Sequence, residues 1–125
     1  MSKEVSSFQL TIDMRKNRIR IYKSALIKLG CPLFILLLVN PEEKKIVVMP
    51  SEGIKTAHRI RWDSNKKSYE LTSTPLIRNL LSLFPQWDKN KNYRLPGKYI
   101  CSENVIEFYM NDAVIISNQE DPLNG

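Results

Sequence analysis

Apolar and polar residues alternate near the start of the chain. In SFQLTID, residues 7–13, every second residue is apolar, and after the polar run DMRKN the alternation returns in RIRIY, residues 18–22. A half-buried β-strand has this period of two. The pattern therefore predicts two strands, the second of which points Arg18 and Arg20 away from the core on one face.

A short helix and a hairpin are predicted next. Ser24 can cap a helix with apolar residues at helical spacing, and Gly30 can end it in the left-handed conformation. The run LFILLLV, residues 33–39, is apolar without alternation, which indicates a strand covered on both faces, in a layered core or at a subunit interface. With the turn NPEEK and the returning run KIVVMP, residues 33–50 form a predicted hairpin.

The second half of the chain predicts another hairpin, one longer helix and short strands. KTAHRIRWD and KSYELTS, joined by the polar turn DSNK, have the pattern of paired strands. A threonine cap at Thr74, followed by Pro75, begins an apolar helical stripe that ends near Pro85. YRLPGKYI, NVIEF and AVII then predict short strands separated by turn residues.

These elements predict a mainly β protein of the α+β class. We expect a swapped-hairpin or small barrel-like β module in residues 1–55. A hairpin, a helix and short strands in residues 56–118 would pack on it, and residues 119–125 are expected to form a frayed tail. A length of 125 residues, with 42% hydrophobic and 26% charged content, fits one compact domain or two closely packed halves.

Composition also predicts where the protein works. The longest apolar run, CPLFILLLV, is much shorter than the ~20 residues that a membrane-spanning helix needs. No charged-then-apolar leader begins the chain. Cys31 and Cys101 have neither CxxC nor Cys/His spacing, which predicts reduced, buried thiols and no metal site. We therefore expect a cytoplasmic protein without a membrane span.

Charge is distributed unevenly along the chain. All 19 Lys and Arg lie at or before Lys98, against eight acidic residues, whereas the segment from Tyr99 onward has five acidic residues and no Lys or Arg. The formal charges of the two parts are therefore +11 and −5. A basic body suits a polyanion such as nucleic acid, and the alternative is a solvated surface with an acidic tail.

Catalytic motifs are lacking in the sequence. His58 is the only histidine and has no nearby cysteine or serine motif with which to form a triad or a metal cluster. The four glycines form neither a P-loop nor a dinucleotide fingerprint. We therefore predict no enzymatic activity, no cofactor and no bound metal.

Residues 17–50, NRIRIYKSALIKLGCPLFILLLVNPEEKKIVVMP, combine these elements in a distinctive order. A basic strand, a short helix, a strand pair and a terminal apolar-Pro turn follow one another. In this order the run resembles the swapped-hairpin module of AbrB/MazE/MraZ-type proteins. It departs from that pattern at Tyr22, where the family has proline, and at Pro32-Leu33, where it has Gly-Asp. An alternative is that the second half of the chain contains a diverged second copy of this module. The long helix of the second half argues against this alternative.

The resemblance implies a small DNA-binding transcriptional regulator that acts by occupying its site. In such proteins paired modules form a β-rich body whose basic strand and adjoining loops face DNA, so the resemblance also implies a homodimer. The positions that carry over are Arg18, Arg20, Lys23 and Lys28. Arg15 and Lys16 extend this basic patch, and side chains of both types neutralise phosphates.

Two alternatives remain open at this point. The basic residues could simply solvate the outer face of a sheet and discourage edge pairing. The chain could instead be an assembly module of a phage or mobile element that binds no nucleic acid and uses the apolar strand 33–39 as its seam. The choice between DNA and RNA, and the identity of any protein partner, are also left open by the sequence.

Overall fold

A computed structural model describes residues 8–116, and β-strands are its main element, with 45% of the residues. The tail predicted at residues 119–125 lies outside the described residues. The strands are β1 (Phe8–Asp13), β2 (Arg18–Tyr22), β3 (Phe34–Asn40), β4 (Lys45–Ser51), β5 (His58–Arg59), β6 (Ser68–Thr72), β7 (Asn92–Ile100), β8 (Val105–Tyr109) and β9 (Val114–Ile116). Two α-helices, α1 (Lys23–Lys28) and α2 (Thr74–Leu83), and a 3₁₀ turn at Met110–Asp112 complete the described elements.

All of these strands belong to one antiparallel sheet that curls into a nearly closed barrel. Neighbouring strands follow the order β5–β3–β4–β8–β7–β1–β2–β6, and β9 pairs with the start of β7. The prediction of a mainly β, barrel-like fold with few helices is confirmed. The strands of residues 1–55 and 56–118 are interleaved in this sheet, so the two parts of the chain share one core.

The order of elements repeats within the barrel. The runs β1–β2–α1–β3–β4 and β5–β6–α2–β7–β8 make equivalent pairings: β1 pairs with β7 as β5 does with β3, and β3–β4 and β7–β8 are both hairpins. The pairs β2–β6 and β4–β8 each join two equivalent strands, one from each run. Among the pairings of these eight strands within residues 8–116, only a β5–β6 counterpart of β1–β2 is missing, and there the barrel is open. The longer α2 takes the place of α1 and does not break the repeat.

The predicted hairpin between residues 55–63 and 67–73 is wrong. β5 pairs with β3 and β6 with β2, so the two strands form the edges of the opening. Side chains cross this opening: the Asp63 backbone N–H donates to the Tyr69 hydroxyl at 3.0 Å, and the rings of Trp62 and Tyr69 meet edge to face at 5.5 Å. The Trp62 indole N–H also donates to the Pro32 carbonyl at 2.9 Å. The opening between β5 and β6 is therefore bridged by side chains and not by a pair of strands.

Inward-facing residues of the strands fill the barrel because side chains alternate between the two faces of each strand. Fully buried residues include Leu10, Ile12, Ile19, Ile21, Ile35, Ile46, Leu95, Ile106 and Phe108. Gly97 lies opposite Phe108, and a Cβ at Gly97 would stand 2.5 Å from that ring. At the equivalent position of the first half, Leu37 lies opposite the smaller Val48. The larger residue of the pair is therefore on the first strand of one hairpin, as Leu37, and on the second strand of the other, as Phe108.

The N-cap of each helix lies before the predicted one, by two residues in α1 and by one residue in α2. α1 starts at Lys23 with no side-chain cap bond from Tyr22, so Ser24 is not its cap. α2 is capped by Ser73, whose hydroxyl accepts from the Leu76 N–H. Gly30 has φ 100° and ends α1 as predicted. Neither described helix is long and apolar enough to cross a membrane.

The structure rules out one of the two alternatives predicted for β3 and contradicts the burial predicted for the two cysteines. The other alternative for β3, a subunit interface, stays a prediction. The outer face of β3 is open within residues 8–116, since Leu38 is 46% exposed, so the strand does not lie in a layered core. Its inner face packs in the barrel through Ile35. Cys31 and Cys101 are both free and exposed, because each follows the end of its helix or strand in a surface turn.

Candidate nucleic-acid interface

Four of the six predicted basic residues surround one surface hollow of about 270 Å³ at the β1–β2 end of the barrel. They are Arg15, Lys16, Arg18 and Arg20. The remaining lining residues are Thr11, Ile12, Asp13, Glu70, Asn92 and Ile116. Four basic side chains therefore outnumber two carboxylates in one place, which favours an anionic ligand.

The β1–β2 turn is shaped by Asp13. Its Oδ1 accepts from the backbone N–H groups of Arg15 and Lys16, both at 3.2 Å, which is the bonding pattern of an Asx turn. Asn17 ends the turn with φ 52°, a conformation that asparagine tolerates better than most residues. The Asn17 carbonyl then accepts from Ser73 N–H at 3.0 Å, which fixes the turn against the start of α2.

Glu70 lies between the two arginines of β2. It is directly opposite Arg20 in the β2–β6 pair, and its Oε2 is 2.6 Å from Arg20 Nη2. Its Oε1 accepts from Arg18 Nη1 at 3.0 Å along the diagonal of the same pair. A guanidinium has five N–H donors, so a single bond to Glu70 does not exhaust Arg18. Glu70 thus holds two guanidinium groups side by side.

The same contacts shift ionisation. The hydrogen bond from Arg20, helped by the charge of Arg18, lowers the pKa of Glu70 below its ordinary value, although burial opposes this shift. Burial also disfavours the charged form of Arg20, but its hydrogen bond to Glu70 and the charge of that carboxylate together raise the pKa of the guanidinium. Glu70 and Arg20 are therefore both charged near neutral pH.

We expect E70Q to melt about 2–5 °C below the wild type at pH 7, because two partly exposed ion pairs are lost. The folded-state pKa of Glu70 lies below the 4.5 that is ordinary for a glutamate, so this stabilisation is fully present above pH 4.5 and is lost as pH falls through the lowered pKa. Calorimetry from pH 7 downward should show the gap between the two proteins closing in acid. A gap that stays constant to about pH 3 would contradict this role of Glu70.

The other two predicted site residues lie elsewhere. Lys23 follows the far end of β2 and donates to the Asp63 carbonyl at 3.2 Å. Lys28, in the last turn of α1, stands 4.9 Å from the centre of the Tyr99 ring in a cation–π contact. Neither residue lines the hollow. The six predicted residues therefore separate into a group of four and two isolated lysines.

Two further polar residues of β7 belong to this face and were missed from the sequence. Asn92 lines the hollow and lies opposite Asp13. Arg94 is exposed opposite Thr11, which itself lies opposite Arg20. Alternation within YRLPGKYI marks Arg94 as outward, but only the β1–β7 pairing brings it beside the basic strand.

Other chemistry in the described part of the chain is sparse. Residues 8–116 contain no group of three or more His, Cys, Asp or Glu side chains that could hold a metal ion. His58 lies on the edge strand β5, where burial lowers its pKa, and it pairs across from Ile35 in the neighbouring strand.

No protein-family model, characterised protein or solved structure matches this chain. The resemblance of residues 17–50 to the AbrB/MazE/MraZ-type module therefore stays a prediction.

Proposed function

We propose that this protein binds DNA through the outer face of β1, β2 and β7, as a small regulator that acts by occupying its site. One observation carries the proposal: Arg15, Lys16, Arg18 and Arg20 surround a single hollow. A cluster of this kind can neutralise adjacent phosphates, and arginine can also bind guanine edges with two hydrogen bonds.

The arrangement of the cluster supports a phosphate backbone as the ligand. Arg15 and Lys16 project from a turn at the end of the sheet, and Arg18 and Arg20 follow along β2. Arg94 extends the row across β1, about 10 Å from Arg20 at two strand spacings. The basic groups are thus spread along and across the sheet, as contacts to successive phosphates require.

Duplex DNA fits this face better than single strands do. None of the described residues that line the hollow is aromatic. Trp87 and Tyr93 are buried against each other with ring centres 4.4 Å apart, so neither ring is open to a base. Proteins that bind single strands without sequence preference rely on exposed aromatic rings for stacking.

A gel-shift panel tests the proposal, with duplex DNA, single-stranded DNA and RNA of one sequence at two salt concentrations. We expect duplex binding, and we expect R15Q/K16Q to reduce the log–log salt slope by about two, because each phosphate contact contributes roughly one. The matched control is K55Q/K66Q, which removes the same charge from exposed positions that do not line the hollow.

The outcomes separate the alternatives. Equal losses for the two variants would indicate diffuse electrostatics instead of a docking face. Preference for RNA or single strands would contradict the duplex assignment. No binding by the wild type at the lower salt concentration would leave the assembly function described next.

A second candidate function, self-assembly, is favoured by the apolar outer face of the β3–β4 hairpin. Leu36 lies opposite Met49 and Leu38 opposite Val47, on the face that points away from the barrel core. A second copy of this chain could cover this patch and give a homodimer. Light scattering of the wild type and L38E tests it: a dimer that L38E converts to a monomer supports assembly, and a monomeric wild type at micromolar concentration contradicts it.

A further inference from the structure

A second surface hollow, of about 440 Å³, lies at the opposite end of β2 from the first, basic one. Among the described residues its lining includes two lysines and no carboxylate: the residues are Gln9, Tyr22, Lys23, Ser24, Ile27 and Lys67. Four basic side chains less two carboxylates give the first hollow a formal lining charge of +2. The two lysines give the second hollow the same charge, which favours an anionic ligand there as well.

The lysines of the second hollow have N–H donors to offer an anion. The Lys23 ammonium donates to the Asp63 carbonyl at 3.2 Å, which leaves two of its three N–H donors. Lys67 is exposed, and its side chain has no hydrogen bond or ion pair within residues 8–116. The side chains supply these donors, because the Lys23 backbone N–H already donates to the Lys67 carbonyl at 2.8 Å.

The two hollows stand at equivalent ends of the β2–β6 pair. Lys23, directly after β2, donates its backbone N–H to Lys67, directly before β6. At the other end Ser73, directly after β6, donates to the carbonyl of Asn17, directly before β2. The backbone pattern of an antiparallel pair is unchanged by a two-fold rotation that exchanges the strands, and this rotation also exchanges the two ends. The second hollow is therefore the counterpart of the first.

Both hollows open on the same outer face. Arg18, Arg20 and Tyr22 alternate along β2 with the buried Ile19 and Ile21. Arg20 lines the first hollow and hydrogen-bonds to Tyr22, which lines the second. From Arg18 to Tyr22 the strand advances four residues, or about 14 Å. The major groove of B-DNA is about 12 Å wide, so phosphates on its two sides can reach the two hollows.

We propose that the second hollow is a second phosphate-binding site, and that one DNA duplex lies across β2 with one of its strands at each hollow. This second site rests on the proposed function, because it extends the same interface. The two strands of a duplex are also antiparallel and are exchanged by two-fold axes. Protein and DNA two-fold axes coincide in many complexes, and here that alignment sets the equivalent ends of the β2–β6 pair against opposite strands.

Salt dependence tests the second site. We expect K23Q/K67Q to reduce the log–log salt slope for duplex DNA by about two, because each phosphate contact contributes roughly one. K67Q alone, at an exposed position with no side-chain bond to lose within residues 8–116, should reduce it by about one. The control K55Q/R59Q removes two charges from exposed positions that line neither hollow, and it should leave the slope nearly unchanged.

A duplex with one uncharged methylphosphonate strand tests the assignment of the strands. Only one hollow can then meet a charged strand, so the wild type should lose about half of its salt slope. The first hollow can take the charged strand in every complex. K23Q/K67Q should therefore bind this duplex nearly as tightly as the wild type does, although it binds the fully charged duplex about tenfold more weakly.

The outcomes separate the second site from the proposed function. If K23Q/K67Q matches its control while R15Q/K16Q loses slope, the second hollow binds no phosphate and the proposed function stands. If K23Q/K67Q weakens binding to both duplexes equally, the two hollows contact the same strand and the strand assignment is overturned. No duplex binding by the wild type overturns the proposed function and the second site together.

Discussion

Replacing Gly97 with valine is expected to lower the free energy of unfolding by about 3 kcal/mol, the upper range for overpacking a core. A Cβ at this position would stand 2.5 Å from two atoms of the Phe108 ring and 3.1 Å from the Glu107 carbonyl oxygen. Phe108 is fully buried, so its ring cannot turn toward solvent. Urea denaturation measured by circular dichroism checks the value.

The repeat within the barrel supplies a rescue for this variant. The pair Gly97–Phe108 corresponds to the pair Leu37–Val48. Leu37 precedes Gly97 in the chain by the same number of residues as Val48 precedes Phe108. The double variant G97L/F108V recreates the large and small residues of the first half. F108V alone should cost about 2–4 kcal/mol through its cavity. The double variant should lose less stability than G97L and F108V lose when their separate losses are added. The difference should be at least about 1 kcal/mol, since residues in contact couple. Additive losses would show that the two hairpins do not pack equivalently.

Neutralising Arg18 and Arg20 together is expected to weaken duplex binding by an order of magnitude or more. If both contact phosphates, R18Q/R20Q should also reduce the log–log salt slope by about two. Fluorescence anisotropy with a labelled duplex at several salt concentrations gives both values. K55Q/K66Q is again the control of equal charge, and a matching loss in the control would contradict a localised interface.

A charge reversal at Arg18 and Arg20 would test the same interface. The structure argues for the neutral variant instead, because two new carboxylates would stand beside Glu70 and Asp13. Even R18Q/R20Q should melt a few degrees below the wild type, as E70Q does. Lys89 and Lys91 are exposed and do not line the hollow, but they are unsuitable as a remote control pair, because the Lys91 carbonyl accepts from Met14 N–H beside the turn of the hollow.

Local patterns predicted the elements whose partners are close in the chain. The hairpin expected in residues 33–50 is found as β3 and β4, and the apolar stripe from Thr74 is found as α2. Both depend on periodicity and turn residues that the chain displays directly. The repeated order of elements was harder to read, since helix length hides it and pairing reveals it.

Distant pairings explain what the sequence missed. Glu70 is visibly outward in KSYELTS, but its place between Arg18 and Arg20 follows from the pairing of β6 with β2. Arg94 joins the basic face through β1 in the same way. Conversely, Lys23 is next to β2 in sequence, yet it lies at the opposite end of the strand from the hollow. Proximity along the chain is therefore a poor guide to which cations share a face.

The strand order of the barrel also bears on how fast the protein folds. β1 must find β7, β2 must find β6 and β4 must find β8, and each search closes a loop of dozens of residues before any of its contacts form. Proteins dominated by such pairings fold in milliseconds to seconds rather than microseconds. On the ribosome, β1 to β4 emerge before β6, which pairs with β2, and β8, which pairs with β4, have been synthesised. The nascent chain therefore exposes strand edges and the apolar hairpin until β8 has appeared, which is the interval in which aggregation competes with folding.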